Sequence, residues 1–225
     1  MCFSATASFA LSGVLAPTGL FCLYRARNMG PGWLAFASFP LAFAVQQALE
    51  GLVWLGLDRP DAQLAAIGAS GFVFFSHFFW LIWVPLSVYL MHRNDAERPP
   101  GLAAFMVAGA VLGIMLYAPV LALDKAVPVS VQAGSIVYDV PLLLADSQWA
   151  RFALKLVYFV IIVGSLGVSS DRRIQVFGGL IALSLIATEL WFAIAFVSVW
   201  CFFAAVLSLY IAAMLLSARP AGSSA

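Results

Sequence analysis

The sequence predicts an all-α polytopic membrane protein: seven transmembrane helices, the N-terminus outside, the C-terminus cytoplasmic, and a short β-hairpin-like outer loop. Three observations carry this. Of the 225 residues 64% are hydrophobic and only 9% charged, whereas a soluble domain carries about 25% charged residues. Mean hydropathy is +1.03. The apolar residues also fall into runs of the ~20 residues that cross a bilayer core, divided by short stretches of Arg, Asp, Pro and Gly.

The first run, 4–24, is closed by Arg25, Arg27 and Gly30-Pro31-Gly32. No Lys or Arg precedes it, so it lacks the basic start of a signal peptide and reads as a true span. The second, 33–57, stops at Asp58-Arg59-Pro60-Asp61, and the third, 64–91, carries Pro85, where a kink is expected. The fourth is 102–123. In the loop that follows, 124–147, Val127, Val129 and Val131 alternate with other residues, Ala133-Gly134 breaks the run and 136–140 resumes it, which is the pattern of a hairpin or flap. The fifth span is 148–168. The stretch 174–216 is almost unbroken apolar sequence; as one helix it would be roughly 64 Å long. It must fold back near 193–198, giving spans six and seven. The reading is one transmembrane domain over 1–217, with a mobile cytoplasmic tail at 218–225.

Basic residues orient the bundle, because Lys and Arg concentrate on the cytoplasmic side. Arg25, Arg27, Arg93, Arg98, Arg172, Arg173 and Arg219 fall on one side; Arg59 and Lys125 lie in loops of the other, with Arg151 and Lys155 inside span five. Trp54, Trp149, Trp191 and Trp200 fall near the outer ends, as an aromatic belt would. A net charge of +1 gives no case for nucleic acid as a partner. The lipid bilayer is the partner the composition demands, and an oligomer is compatible with it.

Ionisable residues inside spans are costly and mark function by default. Glu50, Lys155 and Glu189 fall at similar depth in the outer half of the membrane, and His77 lies near the midplane, with Gln46, Gln47 and Ser76 close in sequence. One reading is a polar pocket opening outward, with Lys155 countering a carboxylate. The plainer alternatives are a structural Glu50–Lys155 pair, a core histidine at 77, a snorkelling Lys155 and a Glu189 wetted at the interface. Trp54, Trp191 and Cys201 complete the expected ligand-binding set. Three cysteines, Cys2, Cys22 and Cys201, are too few for a disulfide framework. Cys2 and Cys201 fall on the outer side, where they pair, join His77 on a soft metal, or merely pack. Any metal would take mixed ligands from Glu50, His77, Glu189 and Cys2.

The aromatic third span (Phe72, Phe74, Phe75, Phe78, Phe79, Trp80, Trp83) reads as packing or as a cage for a flat or cationic ligand. Gly109 and Gly113 have the spacing of close helix packing. Glu50 and Glu189 sit alike in spans two and six, each ahead of an aromatic span, which suggests a three-plus-one-plus-three repeat.

Several classes are excluded. The last span has no lysine for a retinal Schiff base. Two histidines cannot build a three-histidine zinc site. There is neither a GxxxxGK[ST] phosphate loop nor a GxSxG elbow.

The opening Met1-Cys2-Phe3-Ser4-Ala5-Thr6-Ala7-Ser8-Phe9, the segment Gln46-Gln47-Ala48-Leu49-Glu50-Gly51-Leu52-Val53-Trp54, and Ser198-Val199-Trp200-Cys201-Phe202-Phe203-Ala204-Ala205 resemble a bacterial family of multi-pass membrane proteins of unknown function. The resemblance implies a bacterial inner-membrane location and brings no activity, cofactor or catalytic residue with it. The motifs point to Cys2, Ser4, Glu50, Trp54, Trp200 and Cys201.

Two functional expectations follow. The first is an integral membrane protein that binds or transports a small solute or ion through the outer pocket, with 124–147 gating its mouth. The second is an intramembrane enzyme or metal or redox protein acting on a lipid or small apolar substrate, with Glu50 or Glu189 as base or metal ligand and a cysteine as nucleophile. No cofactor is named by any motif.

Overall fold

The computed structural model of the chain describes residues 4–59, 61–93, 101–122, 127–141 and 147–217. Cys2, Arg98, Lys125 and the 218–225 tail lie outside the described residues. Among those described, six apolar helical runs are long enough to cross a membrane: Ala5–Ala26, Pro31–Asp58, Ala62–Met91, Leu102–Leu121, Gln148–Gly167 and Arg172–Ser217. Small polar residues start several of them. Ser4, Asp61, Ser147 and Asp171 each accept a backbone N–H at the first turn of helices α1 (Ala5–Ala26), α4 (Ala62–Phe74), α7 (Gln148–Gly167) and α8 (Arg172–Phe192). A cap of this kind contributes about 1 kcal/mol.

The second run is two helices, α2 (Pro31–Ala37) and α3 (Phe39–Asp58), rather than one. The break is at Ser38, whose hydroxyl donates to the Ala35 carbonyl at 2.6 Å and accepts from the Trp83 indole N–H at 2.9 Å. Pro40 behind it has no N–H for a continuous ladder to use. The third run is interrupted by a π-helical turn, Phe75–Phe79, between α4 and α5 (Trp80–Met91). Such turns recur at functional sites.

Pro85 has a different consequence. Lacking an N–H, it cannot bond the carbonyl four residues back, that of Leu81. Gly109 of α6 (Leu102–Leu121) packs against that oxygen so closely that a β-carbon there would overlap it. One turn on, Gly113 lies over Phe78. The glycine spacing is therefore a close-packing face, as lipid-embedded helices without a hydrophobic drive between them require.

The last run, 46 residues long, breaks at a single 3-10 turn, Ala193–Ala195, and returns as α9 (Phe196–Leu207) and α10 (Leu209–Ser217). The reversal brings Phe177 and Tyr210 into a stack, centroids 6.4 Å apart and planes within 4°. One end of the bundle is stitched by polar contacts between distant segments. Arg25 donates to the Leu215 carbonyl (3.2 Å), the Ser170 N–H donates to His92 Nε2 (3.1 Å), and the Arg173 guanidinium lies 5.5 Å from the Trp33 ring centre.

At the other end stands the hairpin, strands β1 (Val129–Gln132) and β2 (Ser135–Tyr138), paired antiparallel from Val129 opposite Tyr138 to Gln132 opposite Ser135. Its two turn residues, Ala133 and Gly134, both have positive φ, 50° and 74°, the geometry that matches strand twist in a two-residue turn. Alternation aims Ile136 and Tyr138 inward, both buried. The Tyr138 ring stacks on Phe72 of α4, centroids 4.6 Å apart at 5°.

The tryptophans divide. Trp149 and Trp191 are 82% and 72% exposed, as a belt requires, but Trp54 and Trp200 are buried. They are internal residues, because the helix faces that carry them, with Glu50 on α3 and Cys201 on α9, turn toward the bundle centre.

Candidate functional site

The hairpin, the π-helical turn and helices α7, α8 and α9 enclose an open cavity of about 1000 Å³. Helix α7 supplies Arg151, Lys155 and Tyr158, three residues at the three- and four-residue spacing that puts side chains on one face. Glu189 comes from α8, Trp200 and Cys201 from α9, Ser76 and His77 from the π-helical turn, and Tyr138 and Asp139 from the end of the hairpin.

The charge in the wall is paired. Lys155 Nζ donates to both Glu189 oxygens, at 2.8 and 3.1 Å, and each side chain keeps about a third of its surface exposed, 36% and 35%. The ammonium also lies 4.5 Å from the centre of the Phe196 ring. Lys155 therefore counters a carboxylate, that of Glu189, and among the described residues the alternative Glu50–Lys155 pair does not form. Equal depth along two spans says nothing about which helices are neighbours, and α7 packs on α8.

His77 is buried beside the cavity with Nδ1 2.9 Å from Ser76 Oγ. The π turn leaves the Ser76 carbonyl open to a side-chain donor, and the Tyr158 hydroxyl donates to it at 2.9 Å. Tyr158 in turn meets the Trp200 ring edge-on at 5.4 Å. These contacts fix the floor of the cavity.

Glu50, Gln46, Gln47 and Trp54 do not line this cavity. They form a separate, buried polar cluster beside Tyr138 and Cys201. Gln46, Gln47 and Glu50 are fully buried. The Ser198 hydroxyl donates to Glu50 Oε1, and the Trp80 indole N–H donates to Gln46 Oε1 at 2.7 Å. Among the described residues, Trp54 Nε1 and the hydroxyls of Ser8 and Tyr138 have no hydrogen-bond partner, while the Gln47 and Gln46 amides lie against Glu50 and Cys201. Buried polar atoms are almost always paired, so this concentration is out of the ordinary. The Tyr138 phenol, outside the spans, is held well above the usual tyrosine range first by burial, then by the neighbouring Glu50 carboxylate and Cys201.

The residues expected in one pocket are thus split: Glu189, Lys155, His77 and Cys201 line the open cavity, Glu50, Gln46, Gln47 and Trp54 are packed in the core away from it, and Trp191 is exposed and does not line it. Among the described residues no group of three or more His, Cys, Asp or Glu is placed to hold a metal ion, so Glu50, His77 and Glu189 do not combine. Cys22 and Cys201 are free thiols. Sequence reasoning missed Tyr138, Tyr158 and Ser198. The first two were accessible through spacing: Tyr138 shares an alternating strand face with Ile136, and Tyr158 lies three residues from Lys155.

Six apolar helical runs packed around buried polar side chains define a multi-pass helical membrane protein. The chain belongs to the family of unknown function DUF6629, whose model matches residues 1–225. No curated protein and no solved structure matches it.

Proposed function

We propose that this protein sits in a bacterial inner membrane, crosses it seven times with the N-terminus outside, and binds or transports a small solute or ion through the cavity at its outer end. The crossing count takes the final 46-residue run as two spans, which the Phe177–Tyr210 stack supports. The orientation rests on the basic residues Arg25, Arg93, Arg172 and Arg173, which share one end; the hairpin and cavity then face outward.

The observation that carries the reading is the partly exposed Lys155–Glu189 pair in the wall of a cavity of about 1000 Å³. Intramembrane charges that face a wet chamber mark substrate and ion pathways, and a cavity of this size holds a small organic molecule. A cation and an anion side by side, with aromatic faces beneath, suit a small charged or zwitterionic solute.

Swelling of proteoliposomes tests this. Liposomes with wild-type protein are placed in isosmotic solutions of a sugar alcohol, an ammonium salt, a carboxylate salt and a zwitterion. Swelling above protein-free liposomes for at least one class, lost in Glu189→Gln, supports transport. Equal swelling with and without protein in every solution refutes it.

A further inference from the structure

We propose that the ligand of the open cavity is a membrane lipid with a zwitterionic head, a phosphate and an ammonium, which enters sideways between the outer ends of α7 and α8. This rests on the Lys155–Glu189 cavity being the ligand site, and it names the class of molecule that the site takes.

Two helix faces meet hydrocarbon at this end of the bundle. On α7 the large exposed side chains include Trp149, Phe152, Leu156 and Val160. On α8 Leu183, Ile186 and Leu190 repeat the spacing, and Ile194 in the 3-10 turn follows them. Steps of three and four residues put each set on one face, and exposed apolar faces of this extent are membrane contacts. Phe152, 52% exposed, and Ile194, 68% exposed, belong to these faces and also line the cavity. The cavity therefore breaks the lipid-facing surface, and its rim there is apolar. Elsewhere the rim is polar: Gln132, Asp139 and Gln148 line the cavity and are exposed. One side meets lipid and the other meets water, which suits an amphiphile.

Depth and charge choose the head. Trp149 and Trp191, exposed at the outer ends of α7 and α8, mark the level of the lipid headgroups. Glu189 lies two residues from Trp191, about 3 Å along the axis, and Lys155 donates two hydrogen bonds to it. The ion pair stands where lipid heads stand. Each partner keeps about a third of its surface exposed, so an incoming ligand reaches both. A phosphate on Lys155 and an ammonium on Glu189 exchange one ion pair for two and leave no charge unmet. An anionic head would take Lys155 and leave Glu189 uncompensated, which is costly. The chains leave past Phe152 and Ile194. The cavity, about 1000 Å³, is at the top of the ~300–1000 Å³ range of small-molecule sites, room for a head and the first carbons of its chains.

Native mass spectrometry of the detergent-purified protein counts bound molecules and tests this. Four ligands are titrated: phosphatidylethanolamine, phosphatidylglycerol, diacylglycerol and water-soluble glycerophosphoethanolamine. The expected result is one saturable copy of phosphatidylethanolamine, bound about tenfold or more tighter than the other three. Glu189→Gln should weaken it about tenfold. Ala193→Trp places an indole at an exposed position of the cavity wall and should block binding. Leu190→Trp, on the lipid-facing stripe outside the cavity, should not. Glycerophosphoethanolamine binding as tightly as the whole lipid would overturn sideways entry and leave the cavity as a site for a free solute. Equal binding of the three lipids, or equal binding in Ala193→Trp and Leu190→Trp, marks annular contact alone and overturns the proposal. Binding of none of the four overturns it as well, and proteoliposome swelling then judges the cavity by itself. Should Glu189→Gln fail to fold, the two tryptophan variants decide.

Discussion

Lys155 of α7 and Glu189 of α8 share two hydrogen bonds, 2.8 and 3.1 Å, in the wall of a cavity open to the outside of the bundle. The pair is about one-third exposed, and solvated pairs of that kind contribute about 0–1 kcal/mol to stability. Its position matters more than its strength. We expect Lys155→Gln and Glu189→Gln to melt within a few degrees of wild type, while each abolishes proteoliposome swelling. The double variant Lys155→Glu with Glu189→Lys should recover part of it. Melting by circular dichroism and swelling on the same preparations separate the two effects.

The Gly109–Leu81 contact predicts a sharp asymmetry among glycines. Gly109→Ala drives a methyl into the Leu81 carbonyl, which Pro85 has left without its helical partner. Overpacking of this sort costs about 1–3 kcal/mol. Gly113→Ala meets the edge of the Phe78 ring at 3.3 Å, which can turn aside. Gly179→Ala meets nothing within 4 Å and should be neutral or slightly stabilising, because alanine is the better helix former. Thermal melts of the three should rank Gly109→Ala lowest and Gly179→Ala highest.

The hairpin turn offers the opposite case, a native residue in an uncomfortable conformation. Ala133 has φ 50°, a region that costs an L-residue with a β-carbon about 1–2 kcal/mol. Ala133→Gly relieves that strain and should slow hydrogen exchange at the Gln132 and Ser135 amides. Gly134→Ala should speed it.

Much of this architecture could be read from the chain. Arg25, Gly30-Pro31, Asp58 and Asp171 bound the helices close to where charge and proline punctuate the sequence. The alternation around Ala133-Gly134 is a hairpin. What could not be read is rotation about each helix axis. Depth placed Glu50 and Glu189 level with each other, yet Glu189 lines the open cavity and Glu50 is buried away from it. Partner choice depends on which helices are neighbours, a tertiary fact. The same ignorance of rotation assigned buried Trp54 and Trp200 to the membrane surface. The π-helical turn at Phe75–Phe79 has no sequence rule that announces it, and the break at Ser38 is a tertiary choice made with Trp83.

Asp171 gives a pH-dependent prediction. It caps α8 and holds the Arg173 guanidinium, with contacts of 2.7 and 3.1 Å, and that hydrogen bond keeps its carboxyl below the usual range despite partial burial. A carboxyl with a depressed folded-state value stabilises the fold above its unfolded value, and the contribution is lost as pH falls through the folded value. Asp171→Ala should therefore be less stable than wild type at neutral pH, by about 1 kcal/mol for the lost cap. The gap should narrow under acid, as the native carboxylate protonates. Melting both proteins between neutral and acidic pH checks it.

The central claim is that the Lys155–Glu189 cavity is water-filled and faces outward. The most direct measurement replaces Leu154, which lines the cavity, with cysteine in a chain whose three native cysteines are serine, and treats intact cells with a membrane-impermeant thiol reagent. The account predicts rapid labelling at position 154 from outside and none for a Gly179→Cys control on a face that touches nothing. Labelling of Leu154→Cys only after the cells are opened, or not at all, would contradict it.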